Sequence, residues 1–242
     1  MPERPEASYL LVPDEAGEPA EAVLELLMKV NEHHAPAALL VDYGGVLTSS
    51  VAASFVAFCR DEDIPTDVFK RAVFDDAGRA SSAIERIETG AISSDEFDVI
   101  IARRLSAGCG RVIEPAGLKQ RLFARVQVDE KMLAAVERAR ANGFATVLVS
   151  NSWGDEYPMD ALAPLFDDML ISGRIGLRKP NSEIYLAAAR AARAPVNACV
   201  FVDDLQHNIE GAEAVGMTGL LHRTAAQTIG RLEALFGVSL SG

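Results

Sequence analysis

Three short apolar segments, separated by helical patterns, set the strictest limit on the fold. They cover residues 38–41, 144–149 and 198–202, and shorter apolar runs follow at 169–171 and 219–221. Nearly continuous apolar runs of this length are typical of strands buried on both faces of a parallel sheet. Alternation of such strands with amphipathic helices predicts βαβ units joined by right-handed crossovers. The sequence therefore predicts an α/β protein with a doubly wound, Rossmann-like parallel sheet.

The stretch between the first and second strands reads almost entirely as helices. Ser93 and Glu96 form a capping-box pattern, and Gly90 is suited to end the preceding helix. This pattern predicts a helical domain inserted into the α/β core. The predicted divisions are an N-terminal extension with one amphipathic helix at 1–36, a core at 37–50 and 125–242, and a helical cap at 51–124.

Composition and charge narrow the classes of partner. The chain has 242 residues, 49% of them hydrophobic, which is enough for one sizeable core, or for a core plus a small inserted domain. Its formal net charge of −12 argues against binding to nucleic-acid backbones, which needs clustered Lys and Arg. The apolar runs are too short for a membrane span, and the first residues do not read as a signal peptide. The widely spaced Cys59, Cys109 and Cys199 fit reduced thiols. We therefore expect a cytoplasmic monomer or homodimer without a nucleic-acid or membrane partner.

Each strong strand ends at a polar side chain with chemical capacity. These side chains are Asp42, Ser150 and the pair Asp203 and Asp204, while Lys179 precedes a later helix. Loops at the carboxyl ends of parallel strands converge at one edge of a sheet. Carboxylates and backbone carbonyls are the ligands that Mg²⁺ prefers, and lysine and serine side chains can hold phosphate oxygens. The set suits phosphoryl transfer, in which Asp42 attacks in line and water hydrolyses the resulting aspartyl phosphate.

In their sequence context, these residues resemble the four motifs of the haloacid dehalogenase-like (HAD) hydrolase superfamily. The resemblance runs from about residue 37 to residue 222, and the early helical insertion resembles subfamily IA, which has a small helical cap. It implies a HAD core with an inserted cap, Mg²⁺ as the cofactor and a small phosphorylated substrate. The matching segments are Val41–Leu47, Leu148–Ser152, Gly176–Pro180 followed by Glu183–Tyr185, and Val200–Asp204 followed by Asn208.

The resemblance also implies a role for each matching residue. Asp42 would be the nucleophile, and Lys179 would steady both Asp42 and the phosphate. The substrate would be bound by Tyr43, Gly44, Ser150, Asn151 and Lys179. The metal would be held by Asp42, the Gly44 carbonyl, Asp203 and Asp204, with Asn208 standing where many relatives place a second acid.

Gly44 is the main departure from the family pattern. Phosphatases of the family usually carry an Asp there, which protonates the leaving group and then activates water. General acid–base help of this kind is typically worth ~10²–10⁴ in rate. Three interpretations follow, and the first is an active phosphatase that would act on substrates with good leaving groups or use a substitute acid such as Glu156, Tyr157 or His207. The alternatives are a catalytically impaired module that binds phosphate ligands or proteins, and a 2-haloacid dehalogenase, for which Tyr43 is one residue early.

The predicted cap does not identify a substrate from its sequence. Arg79, Glu85 and Arg86 are expected to solvate a helix rather than face the cleft. Trp153, in the loop after the second strand, is expected either to pack within its loop or to form a wall against the substrate.

Overall fold

The computed structural model describes residues 35–74, 82–154 and 156–241. The N-terminal extension expected at 1–36 lies almost wholly outside these ranges, so its amphipathic helix stays a prediction. Arg79 also lies outside the described residues.

The core is a five-stranded parallel sheet in the order β3-β2-β1-β4-β5. The first strand, β1, lies at the centre, and every one of its residues is fully buried. Burial on both faces explains why the strong strands are continuous apolar runs. The sheet confirms the predicted α/β fold class. The strands are β1 (Ala38–Val41), β2 (Ala145–Ser150), β3 (Asp168–Ile171), β4 (Cys199–Asp203) and β5 (Thr218–Leu221).

The strand register aligns the chemically capable residues at one edge of the sheet. Val41 pairs with Leu148 of β2 on one side and with Val202 of β4 on the other. The backbone N–H of Asp42 then donates to the Val202 carbonyl at 2.9 Å. Because all the strands run in parallel, Asp42 emerges at the same level as the carboxyl ends of both neighbours.

Between β1 and the helix Glu130–Ala141 that precedes β2, the described chain contains five helices and no strand, which agrees with the predicted helical insertion. The predicted capping box is present, because the Ser93 side chain accepts from the Glu96 N–H and Glu96 accepts from the Ser93 N–H. The residue limits proposed for the cap and the core stay predictions. These helices are α1 (Val51–Asp61), α2 (Thr66–Phe74), α3 (Ala83–Glu88), α4 (Ser94–Cys109) and α5 (Leu118–Leu122).

Alternate residues of β1 supply two apolar layers, one on each face of the sheet. Leu39 and Val41 join one cluster of buried residues, whereas Ala38 and Leu40 join another. Helices cover both faces, as expected for a doubly wound sheet. They are α6 (Glu130–Ala141) and α11 (Ala225–Phe236) against the first layer, and α9 (Ser182–Ala191) and α10 (Gln206–Ala214) against the second, with single turns at α7 (Met159–Leu162) and α8 (Ser172–Ile175). Among the described residues, no helix is both long and apolar enough to cross a membrane.

Helix α4 offers a matched pair of positions for testing the cap packing. Leu105 is fully buried in the aromatic and aliphatic cluster of the cap, whereas Val99 on the same helix is 55% exposed. We expect Leu105→Ala to lower the free energy of unfolding by about 2–5 kcal/mol, because it leaves a cavity. Val99→Ala should change it by less than about 0.5 kcal/mol. Urea titrations measure both values, and equal effects would contradict the assigned core of the cap.

Candidate active site

The loop after β1 is a tight turn that brings two acidic loops together. The N–H of Leu47 donates to the Tyr43 carbonyl at 3.0 Å, and the N–H of Gly45 donates to the Thr48 hydroxyl at 3.0 Å. Gly45 has a φ of +83°, and a Cβ atom placed there would lie 2.3 Å from Asp204 Oδ2. Only glycine therefore fits where the first loop meets the loop after β4.

The side chain of Lys179 joins the ends of β1 and β4. Its ammonium group donates to Asp42 Oδ1 at 2.6 Å and to Asp203 Oδ2 at 2.7 Å. Lys179 is 1% exposed, and a charge so buried is costly unless it is paired. Burial alone would lower the pKa of Lys179, but the adjacent Asp203 and Asp42 carboxylates hold it above its usual value. The lysine is therefore a fixed positive charge beside Asp42.

Three carboxylates lie close together at this site beside the single ammonium group of Lys179. Oxygen atoms of Asp42, Asp203 and Asp204 lie within 4.8 Å of one another. Burial raises the pKa of Asp42 to about 7, opposed by Lys179 and reinforced by Asp203 and Asp204. Burial, followed by the neighbouring Asp203, raises the pKa of Asp204 to about 6. Excess negative charge in a buried group of oxygen ligands suits a divalent cation such as Mg²⁺.

Asn208, in the first turn of α10, contacts one of these three carboxylates. Its side-chain NH₂ group lies 3.1 Å from both carboxylate oxygens of Asp203. Asn208 is 2% exposed, yet its Oδ1 atom lacks a hydrogen-bond partner among the described residues. A buried acceptor without a partner is costly. Asn208 therefore binds Asp203 through its NH₂ group, and its Oδ1 atom is available to accept a hydrogen bond in the cavity that the residue lines.

The loop after β2 supplies a hydroxyl group and a brace for Lys179. Ser150 Oγ lies 2.9 Å from the hydroxyl of Tyr157, whose ring packs 5.0 Å from the ring of Tyr43. The Asn151 side chain accepts from the Lys179 N–H at 2.8 Å and donates to the Lys179 carbonyl at 3.0 Å. Asn151 therefore fixes the backbone that carries the lysine.

One cavity of about 960 Å³ is lined by all but one of the predicted substrate, metal and catalytic residues. Asp203 is the exception, because it is fully buried behind Lys179. The substitute-acid candidates Glu156, Tyr157 and His207 also line this cavity. The individual roles of the site residues stay predictions. The members of the predicted set that line the cavity are Asp42, Tyr43, Gly44, Ser150, Asn151, Lys179, Asp204 and Asn208.

Sequence reasoning missed Glu88, a buried carboxylate that helix α3 of the cap contributes. It accepts from Arg178 Nε at 2.7 Å and from Trp153 Nε1 at 3.2 Å. Burial raises the pKa of Glu88, while Arg178 opposes that shift. Glu85, one turn earlier, pairs with Arg178 at 3.2 Å, so the expectation that it only solvates a helix is wrong. The two glutamates are three residues apart, a spacing that puts them on one helix face.

Lys119 of the cap is a second residue that sequence reasoning missed. It is 3% exposed, donates to Ser94 Oγ at 2.7 Å and forms an ion pair with Glu156 of the core. Glu156 is thus already engaged as the partner of a buried cation. Ion pairs therefore join the cap to loops of the core at two places: Lys119 pairs with Glu156, and Arg178 pairs with both Glu85 and Glu88.

Comparison with known proteins agrees with this geometry. A family profile described as haloacid dehalogenase-like hydrolase matches residues 21–216. Bifunctional epoxide hydrolase 2 of Sus scrofa is 26% identical over 182 residues, covering 67% of this chain and 32% of that protein. Phosphatase MT3486 of Mycobacterium tuberculosis is 33% identical over 147 residues, covering 59% of this chain and 66% of that protein. The chain thus spans about a third of the first relative and about two thirds of the second.

Solved structures show the same fold. A HAD family enzyme from Bacteroides thetaiotaomicron, in complex with magnesium and inorganic phosphate, has a TM-score of 0.56 and 18% sequence identity. The alignment covers 78% of this chain and 94% of that enzyme. Since the family profile spans well over half of the sequence, the chain belongs to the haloacid dehalogenase-like hydrolase family.

Proposed function

We propose that the protein is a magnesium-dependent phosphohydrolase that forms an aspartyl phosphate on Asp42. The observation that carries this proposal is the buried bridge from Lys179 to Asp42 and Asp203, with the Asp204 carboxylate and the Ser150 hydroxyl in the same site. The names of two similar proteins support it: one is a phosphatase, and the other was crystallised with magnesium and inorganic phosphate.

The proposed reaction uses the residues in two steps. The Asp42 carboxylate attacks phosphorus, the ester P–O bond breaks, and the leaving alcohol takes up a proton. Water then attacks the phosphorus of the aspartyl phosphate, which releases inorganic phosphate and restores Asp42. Lys179 and Ser150 hold the phosphate oxygens, while Asn151 keeps Lys179 in place. Mg²⁺ held by Asp42, Asp204 and the Gly44 carbonyl would supply neutralising positive charge.

Gly44 limits this chemistry because it lacks a carboxylate. Of the three substitute acids, Glu156 is paired with Lys119, and Tyr157 is bonded to Ser150. Burial raises the pKa of Tyr157, which makes it a weaker acid. His207 is exposed at the cavity, and its side chain is the substitute that remains accessible. The chemistry therefore favours substrates with good leaving groups or proton donation from His207.

The missing acid also supports a second candidate, a module that binds phosphate ligands without hydrolysing them. It would use the same lysine, serine and carboxylates, so only turnover separates it from the enzyme. A metal-independent 2-haloacid dehalogenase is disfavoured, because three converging carboxylates would repel a carboxylate substrate without a cation.

Asp42→Asn tests the proposed nucleophile. We expect phosphate release from p-nitrophenyl phosphate and acetyl phosphate to require Mg²⁺ and to fall by about 10³-fold or more in the variant. Asp160→Asn, at an exposed position outside the cavity, is the matched control and should retain full activity. An active Asp42→Asn enzyme would contradict the nucleophile, and absence of turnover in the wild type would favour the binding module.

Gly44→Asp tests the missing acid. The backbone at Gly44 is outside the left-handed region, and an added Cβ would meet Val51 Cγ2 at 3.1 Å, so a side chain fits after a small shift. We expect turnover of alkyl phosphates, which have poor leaving groups, to rise by about 10²-fold. Gly44→Asn, which has the same shape without the acid, is the control. Equal rates in the two variants would exclude acid catalysis as the limiting factor.

The raised pKa values of Asp42 and Asp204 predict how Mg²⁺ binding depends on pH. Metal binding needs both carboxylates deprotonated, so protons compete with it as the pH falls through about 7 and 6. We expect the Kd for Mg²⁺, measured by isothermal titration calorimetry, to rise by up to about tenfold per pH unit while one proton is displaced. Binding that is unchanged between pH 8 and about pH 5.5 would contradict a metal site at these carboxylates.

A further inference from the structure

The cavity that holds Asp42 has an apolar side that the proposed chemistry does not use. Aromatic side chains from both the cap and the core line this side. They are Phe55, Phe69, Phe74, Phe123 and Trp153. The polar groups of the core motifs line the same cavity, so it combines a charged site with an apolar wall.

The aromatic wall is continuous and braced. Trp153 stacks on Phe55 with ring centroids 5.4 Å apart and meets Phe123 edge to face at 5.7 Å. Phe55 in turn contacts Phe69 at 5.5 Å, which extends the wall from the core loop into α2. The Glu88 carboxylate holds the Trp153 indole N–H at 3.2 Å. A wall fixed in this way is formed before a ligand arrives, as is usual for small-molecule pockets.

The charged cap residues in the cavity are already neutralised. Among the described residues of the cap that line it, the charged ones are Glu88 and Lys119. Glu88 is paired with Arg178, and Lys119 is paired with Glu156. A substrate with a second charged group would have to break a buried ion pair to use either residue. The cap end of the cavity is therefore suited to an uncharged, apolar group.

We propose that this cavity takes the phosphate monoester of an apolar alcohol, with the phosphate at Asp42 and the apolar group against the aromatic wall. This inference rests on the proposed function for the identity of the phosphate end. Binding of the apolar group would also raise kcat/KM without an acidic side chain at position 44. Binding energy from the non-reacting part of a substrate raises kcat/KM when it is used to position the reacting part.

A series of 4-alkylphenyl phosphates tests the proposal, because the leaving group stays a phenoxide while only the tail changes. We expect kcat/KM to rise by about a hundredfold or more from the methyl to the octyl compound, since each buried methylene contributes about fourfold. All concentrations stay below the onset of micelle formation. A rate that stays within about threefold across the series, less than a single buried methylene would give, would overturn the proposal.

Two valines of the cap provide matched variants. Val56 on α1 lines the cavity and is 60% exposed, whereas Val112 is 76% exposed and lies outside the cavity. Val56→Asp should lower kcat/KM for the octyl compound by about tenfold or more and leave the methyl compound within about twofold. Val112→Asp should change neither value by more than about twofold. Equal effects of the two substitutions would contradict binding of the tail on the cap side of the cavity.

Ligand binding separates failure of this proposal from failure of the proposed function. Methylphosphonate and octylphosphonate, which cannot be hydrolysed, are titrated into the wild-type protein with MgCl₂ in a calorimeter. Tighter binding of the octyl compound by about a hundredfold supports the apolar site, even if no phosphate ester is turned over. Equal affinity of the two phosphonates overturns it, whether or not the protein is a phosphatase.

Discussion

The site depends on a single buried ammonium group held between two carboxylates. Lys179 can stay charged at 1% exposure only because Asp42 and Asp203 both lie within 2.7 Å of it. Those two carboxylates come from adjacent strands, β1 and β4, whose register puts their ends side by side. Asn151, just after β2 on the other side of β1, then holds the Lys179 backbone through two hydrogen bonds. The bridge through Lys179 therefore depends on the neighbouring positions of β2, β1 and β4 in the sheet.

The same arrangement leaves a negative charge unbalanced. Asp42 and Asp203 share the lysine, and Asp204 lies close to both without a comparable partner in the part of the chain that the structure describes. The pKa values of Asp42 and Asp204 are raised because burial and mutual repulsion penalise their charged forms. The cost falls when a cation enters, because it replaces repulsion with coordination.

The sequence predicts which core residues meet at one end of the sheet, but it does not identify the charged residues that the cap adds to the cavity. Strands such as Ala38–Val41 and the polar residues that follow them are local signals, and a parallel sheet brings such strand ends together without further information. Glu88 gives no local signal, because its inward direction depends on how Ala83, Ile84 and Ile87 pack α3 against the rest of the cap. The partners of Lys119 are likewise distant in the chain: Glu156 is 37 residues away. Trp153 was expected either to pack within its loop or to form a wall of the cavity. It does both, because it packs among aromatic rings and lines the cavity.

Glu88 connects the two halves of the proposed chemistry. One of its oxygens, Oε1, holds the indole of Trp153 in the aromatic wall, while the other accepts from Arg178, the residue before Lys179. The same carboxylate of the cap therefore contacts both the aromatic wall and the loop that carries Lys179. If the cap moved away from the core, both contacts would break, and the Glu88 carboxylate and the Arg178 guanidinium would lose each other as partners. Both contacts are strengthened by burial, because Glu88 is 7% exposed where it pairs with Arg178. An enzyme without an acid at Gly44 gains from such pre-organisation, since the geometry around Asp42 need not be assembled at each turnover.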